Sequence, residues 1–220
     1  VMNHAVHNKL VAFIWSIADD CLRDVYVRGK YRDVILPMTV LRRLDSILEP
    51  TKQAVLDEVA FQKEEGFHEP DIDGLCDASG YVFYNASKWT LKTLRESTSN
   101  NQQLLLSNFE EYLNGYSDNV KDILVRFKLL EQIKHMANKN VLHDVLEKFV
   151  SPYLNLSPID QYDPQGNLLP ALTNLGMGYV FEELIRRFNE ENNEEAGEHF
   201  TPREVIELMT HLVFDLSLIH

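Results

Sequence analysis

The residues best suited to chemistry near the carboxyl end are Phe200-Thr201-Pro202-Arg203-Glu204. Thr201 fits the N-cap of a helix, Pro202 fits its first position, and Glu204, three residues after the cap, completes a capping box. A helix start of this kind is common and needs no ligand. It also presents unpaired N–H groups and the positive end of the helix dipole, which suit a carboxylate or a phosphate. Spacing alone leaves both interpretations open.

A second feature is a basic stretch from Arg23 to Arg43, in which Asp24 and Asp33 are the only acids. Neutralising phosphates with such side chains gives weak, salt-dependent and sequence-independent binding to DNA. The alternative is a set of solvated helix faces that pair with other parts of the chain. The DNA-contact candidates within the stretch are Arg28, Lys30, Arg32, Arg42 and Arg43.

Other catalytic and metal-binding patterns are absent from the sequence. Cys21 and Cys76 are too few for a four-cysteine metal site or a disulfide framework. Neither a Cys-x-x-Cys nor a His-Glu-x-x-His pair occurs, and no Gly-x-Ser-x-Gly nucleophile motif is present. We therefore predict no metal site and no catalytic residue in this chain.

Composition is that of an ordinary globular protein, with 220 residues, 45% hydrophobic and 25% charged. This excludes a disordered chain, a collagen-like repeat and a membrane span, since no apolar run approaches the roughly 20 residues that a span needs. We see no secretory signal peptide, and expect a cytoplasmic protein with reduced thiols. The net charge of −13 disfavours nucleic acid as a partner of the whole surface. It hides an uneven distribution, because nine glutamates lie between Glu182 and Glu207.

Hydrophobic periodicity predicts an all-α protein. We expect a helical domain over residues 1–150, interrupted at about 66–87 by an irregular loop or a short hairpin. In that loop, Tyr81–Tyr84 is the only strand-like run. A proline-rich surface connector is expected over 151–173, followed by a helical lead-in over 174–220. Gly176 and Gly178 near the start of that lead-in suggest close backbone packing.

Several separate stretches, in the same order along the chain, resemble the methylation subunit of type I restriction–modification systems. The run GEHFTPREVIELM at 197–209 resembles the family's Gly-x-x-Phe-Thr-Pro-Arg approach to the cofactor, and GYVFEELIRRF at 178–188 resembles the helix before it. Matches to the family's N-terminal helical domain are RGKYRDVILPMTVLRRLD (28–45), FYNASKWTL (83–91), NFEEYLNGYSDNV (108–120) and KFVSPYLNLSP (148–158).

The resemblance implies a subunit of an enzyme that transfers a methyl group from S-adenosylmethionine to the exocyclic amine of adenine in DNA. The implied partners are the DNA-specificity subunit, a second methylation subunit, the restriction subunit, and DNA in the full complex, with no membrane. By the same resemblance, the residues that border the cofactor are Glu198, His199, Phe200, Thr201, Pro202 and Arg203.

The chain also departs from the family pattern. A glycine-rich cofactor loop after a first strand is missing, and so is the Asn-Pro-Pro-Phe loop that holds a flipped adenine. We therefore expect an N-terminal fragment or a naturally truncated product, cut before the sheet that binds S-adenosylmethionine and inactive by itself. Two other classes stay open. One is a helical protein–protein scaffold without an enzyme role, and the other is an acidic DNA mimic that inhibits a restriction complex.

Overall fold

Helices dominate because apolar residues recur every three or four positions, so that each segment buries one face. The computed structural model describes residues 3–191. Within them the chain is all-α apart from one small hairpin, which confirms the predicted fold class. Its helices are α1 (His4–Cys21), α2 (Arg32–Leu48), α3 (Lys52–Glu64), α4 (Ile72–Ser79), α5 (Leu91–Ser97), α6 (Gln102–Asn114), α7 (Asp118–Arg126), α8 (Leu129–Asn138), α9 (Leu142–Phe149) and α10 (Asn174–Glu191).

The central element is α2. Every residue of this helix from Val34 to Leu48 is buried, because α1, α8, α9 and α10 all pack against it. A helix that is surrounded on all sides must bury its polar residues together with its apolar ones. Because α2 is surrounded, its charged side chains Arg42, Arg43 and Asp45 are buried as well.

The segment predicted to be irregular, 66–87, contains a helix. Ile72–Ser79 forms α4, which buries Leu75 beside Val55 of α3 and ends at Gly80 in the left-handed region (φ 79°). Of the two alternatives for Tyr81–Tyr84, a loop or a short hairpin, the structure has the loop. The end of this run contacts a distant loop, since the Ser117 N–H donates to the Tyr84 carbonyl across 3.1 Å.

The hairpin lies instead in the predicted connector, where β1 (Gln161–Tyr162) pairs antiparallel with β2 (Leu168–Leu169). The connector does not simply lie over the surface. Leu154, Leu156 and Leu172 are buried in the main core. The Asn155 side-chain amide donates to three carbonyls of the segment and so holds its bend.

The last described helix, α10, packs on α1 and α2. The ring centroids of Trp15 and Phe188 lie 4.6 Å apart; Phe188 belongs to the main core, and the partly buried Trp15 packs against it. Close packing at Gly176 agrees with the prediction, since a Cβ there would lie 2.8 Å from His7 Nε2. The same expectation is wrong for Gly178, where a Cβ would meet nothing within 4 Å.

Candidate functional site

Arg42, one of the predicted DNA contacts, is held inside the protein. Its side chain is 10% exposed, and its Nη1 donates to Asp45 Oδ2 across 3.0 Å. Its Nε donates to the carbonyl of Phe149, where α9 ends, also across 3.0 Å. The guanidinium therefore joins α2 to α9 and lies inside the helical body, not on an exposed surface.

Arg43 is buried still more completely, at 1% exposure. Its Nη1 donates to the carbonyls of Leu156 (2.7 Å) and Leu172 (2.8 Å), and its Nη2 donates to Asn174 Oδ1 across 3.0 Å. Burial lowers the pKa of Arg43 to about 10. This side chain connects both ends of the connector and the start of α10 to α2, so that the structure places this predicted DNA contact in the interior.

Asp45 forms the centre of a buried polar cluster beside Arg42. Its Oδ1 accepts the backbone N–H of Leu91 across 3.1 Å and the Tyr112 hydroxyl across 2.9 Å. The hydroxyls of Tyr112 and Tyr116 lie 2.7 Å apart. Burial raises the pKa of Asp45 above its usual range, against the lowering effect of Arg42, and burial also raises the pKa of both tyrosines. The arrangement fixes α2, α5 and α6 relative to one another, and we assign it a structural role.

Of the other three predicted contacts, Arg28 and Lys30 lie between α1 and α2, and Arg32 is the first residue of α2. Arg28 and Lys30 are exposed, and Arg32 is half-buried. Arg28 makes a two-point ion pair with Glu191 at the end of α10, with Nη2 3.0 Å from Oε1 and Nε 3.2 Å from Oε2. Lys30 and Arg32 each lie 3.7 Å from a carboxylate oxygen of Asp33. Arg28 and Lys30 are accessible to a large ligand, unlike Arg42 and Arg43, whereas the Arg32 side chain is only 17% exposed.

A cleft of about 760 Å³ opens between α5, α9 and the hairpin. Its cations are Arg42, Lys92, Arg95 and Lys148, and Tyr162 stands at its rim. Arg95 Nη2 donates to Glu147 Oε1 across 2.7 Å, and this contact lowers the pKa of Glu147. The walls carry both signs of charge, so that the cleft has no single electrostatic preference.

Glu147 also belongs to the one group in residues 3–191 whose donor atoms could converge on a cation. Its ligand atom and those of His143 and Asp144 lie within 4.8 Å of one another. Arg95 already occupies the Glu147 carboxylate and would compete with any metal ion. The group therefore gives no reason to change the prediction that the chain has no metal site.

The residues expected to border S-adenosylmethionine, Glu198–Arg203, lie outside the described residues, as does Glu204 of the capping box. In the sequence, α10 is the last described element before them. Among residues 3–191, no helix combines the length and the apolar character that crossing a membrane requires.

Sequence reasoning missed the cluster around Asp45 and the cleft. No local signal could have found either, since Asp45 and Tyr112 are 67 residues apart, and Arg95 and Glu147 are 52 apart. One signal was available for the buried arginines. The sequence around them, Ile35–Leu48, is apolar on one face and has its arginines, aspartate and serine on the other, which is equally compatible with exposure or with a buried polar network.

Comparison with known proteins gives two family matches. The model of the HsdM N-terminal domain matches residues 10–149, which include every helix from α2 to α9. The model of the N-6 DNA Methylase family matches residues 174–217, which begin with α10. No curated protein and no solved structure matches the chain.

Proposed function

Because the chain belongs to the family of HsdM N-terminal domains, whose model spans residues 10–149, we propose that it acts as the N-terminal, non-catalytic part of the modification subunit in a type I restriction–modification complex. This premise agrees with the motifs that resemble the methylation subunit. The proposed role of the helical body, residues 3–173, is to contact other subunits and DNA and to hold the methylase part in position.

The observation that carries the proposal is the burial of α10 on the helical body. The helix begins at Asn174, where the N-6 DNA Methylase match also begins. It nevertheless shares one core with α1, and Phe188 is 2% exposed against Trp15. Arg43 binds Asn174 at the start of the helix, and Arg28 binds Glu191 at its end. A helix held at its start by a buried arginine and along one face by the core takes its orientation from the body beneath it.

The remaining elements of the proposal come from the family. The parent enzyme is an adenine-specific DNA methyltransferase of the cytoplasm that uses S-adenosylmethionine. Its partners are the DNA-specificity subunit, a second methylation subunit and the restriction subunit. Glu198–Arg203 stay the predicted border of the cofactor. By itself the chain lacks both the cofactor loop and the Asn-Pro-Pro-Phe loop, so that we expect no enzyme-dependent incorporation of labelled methyl groups into unmethylated DNA.

A mixing experiment tests the proposal. The purified chain is combined with the DNA-specificity subunit, and separately with a modification subunit from which the helical domain has been deleted. We expect association with the first and restored methylation with the second. Phe188→Ala should lose the restored methylation because it loosens α10. Leu175→Ala, on the same helix but 62% exposed, is the matched control and should retain it.

Two outcomes would contradict the proposal and favour the alternatives. Association without restored methylation, for wild type and Leu175→Ala alike, would indicate a plain scaffold. Release of DNA from an assembled complex on addition of the chain would indicate an acidic DNA mimic.

A further inference from the structure

A second group of cations lies in and around the turn between α7 and α8. In the sequence this group is far from the basic stretch at Arg23–Arg43. Asp122 and Glu131 are the only acids between residues 121 and 139. The cations of this segment are Lys121, Arg126, Lys128, Lys134 and Lys139. In a chain whose net charge is −13, such a local excess marks a surface that a polyanion can approach.

Tertiary contacts bring this turn beside the basic loop that precedes α2. The Tyr26 hydroxyl donates to Gln132 Oε1 across 3.0 Å, although the two residues are 106 positions apart. The Tyr26 ring also packs edge-on against His135, with ring centroids 4.9 Å apart. Phe127 lines the same small cavity as Arg32. The two cationic segments therefore lie next to each other in the fold.

Burial of Phe127 determines how the turn presents its charges. Phe127 is 6% exposed, whereas its neighbours Arg126 and Lys128 are both exposed. Lys128 has a φ of 53°, in the left-handed region, and this sharp bend separates α7 from α8. The two cations are thus held at the surface on either side of an anchored ring. We define the composite basic surface as the four exposed cations Arg28, Lys30, Arg126 and Lys128.

We propose that the composite basic surface binds the phosphate backbone of duplex DNA. The inference rests on the proposed function, which brings DNA to this subunit, and it replaces the buried Arg42 and Arg43 with Arg126 and Lys128. Phosphate contacts carry no base information, so that the binding is independent of DNA sequence. Because phosphate neutralisation releases counterions, the affinity falls strongly as the salt concentration rises.

Two carboxylates pair with this surface, and neither prevents phosphate binding. Asp33 lies 3.7 Å from Lys30, whose side chain is 57% exposed, and Glu191 pairs with Arg28, whose side chain is 64% exposed. Exposed ion pairs are weak in water, because solvent and salt screen them. Phosphate oxygens can therefore compete for the same donors.

The test measures binding of the full chain to fluorescently labelled duplex DNA by anisotropy over a salt series. Each neutralised phosphate contributes about 0.9 to the slope of log K against log salt. The double variant Arg126→Gln with Lys128→Gly should reduce the steepness of this negative slope by about 2. It should also weaken low-salt binding by about tenfold. Glycine adopts a positive φ freely, so that Lys128→Gly removes the charge without straining the turn.

Lys63→Gln is the matched control, because Lys63 is exposed at the end of α3, which packs on α4. It should change neither the slope nor the affinity. Three results would each overturn the inference. The wild type and the double variant could bind DNA equally, the Lys63 variant could lose as much DNA affinity as the double variant, or the wild type could fail to bind DNA at low salt. Association with the DNA-specificity subunit is measured on the same preparations. If the wild-type chain does not associate with the DNA-specificity subunit, the proposed function is contradicted. If only the double variant fails to associate, the surface binds protein instead of DNA.

Discussion

The hydroxyl of Tyr112 on α6 donates a hydrogen bond of 2.9 Å to the buried carboxylate of Asp45 on α2. Both residues are nearly inaccessible, at 1% and 5% exposure. Without this donor, Asp45 Oδ1 would keep only the backbone N–H of Leu91. The contact therefore stabilises a charge that the helical body buries at its centre.

Replacing Tyr112 with phenylalanine should lower the free energy of unfolding by about 2 kcal/mol, the usual cost of losing a hydrogen bond to a charged group. Tyr162→Phe is the control, since Tyr162 is 68% exposed on the hairpin. Urea titrations followed by circular dichroism measure both variants. Equal midpoints for Tyr112→Phe and wild type would contradict a stabilising role for the bond.

Arg43 should behave as a structural residue and not as a DNA contact. Arg43→Met leaves the carbonyls of Leu156 and Leu172 without their donor, and each unpaired buried carbonyl costs about 1–3 kcal/mol. Arg28→Met should cost less than about 1 kcal/mol, because it removes only an exposed ion pair. Thermal unfolding at constant protein concentration separates the two. Reversal of their order would contradict the assignment.

The two glycines at the start of α10 should respond oppositely to alanine. At Gly176 the new Cβ would lie 2.8 Å from His7 Nε2 and 2.9 Å from Leu172 Cδ1, and overpacking of this kind costs about 1–3 kcal/mol. At Gly178 the space is open, so that alanine should stabilise the helix by about 0.5–1 kcal/mol. Denaturant midpoints give the comparison. A stabilised Gly176→Ala would show that α10 does not pack closely on α1.

Lys52 gives stability a dependence on pH that a single substitution can isolate. Its Nζ donates to Asn85 Oδ1 across 3.1 Å, and burial lowers its pKa from 10.5 to about 8. Between these values the unfolded chain binds more protons than the folded chain, so that the contribution of Lys52 to the free energy of unfolding rises with pH and is complete above 10.5.

The variant Lys52→Met removes this contribution. The difference in unfolding free energy between wild type and variant should be constant below pH 8 and shift in favour of wild type as pH rises. Groups that titrate in the opposite sense, such as Cys21, whose pKa burial raises to about 11, are common to both proteins and cancel in the difference. A difference that stays constant across this range would mean that Lys52 keeps an ordinary pKa.

Local patterns predicted the helices well where each one has a single buried face. They failed at α4, because the acids and glycines between Asp71 and Gly80 resemble a loop, although Leu75 anchors two helical turns. They failed again in the connector, where prolines indicated a surface path but Leu154 and Leu172 enter the core. In both places the deciding contacts come from distant parts of the chain.

The sequence by itself determined the helical class and the family, since periodicity and short motifs are local properties that survive without coordinates. It also determined the amount of positive charge in each segment. Only the tertiary structure decided which of these cations are exposed to solvent. Arg42 and Arg43 are buried because other helices surround α2, and Arg126 and Lys128 join the basic loop because Tyr26 packs on α8. Burial depends on which segments pack together, and no single segment carries that information.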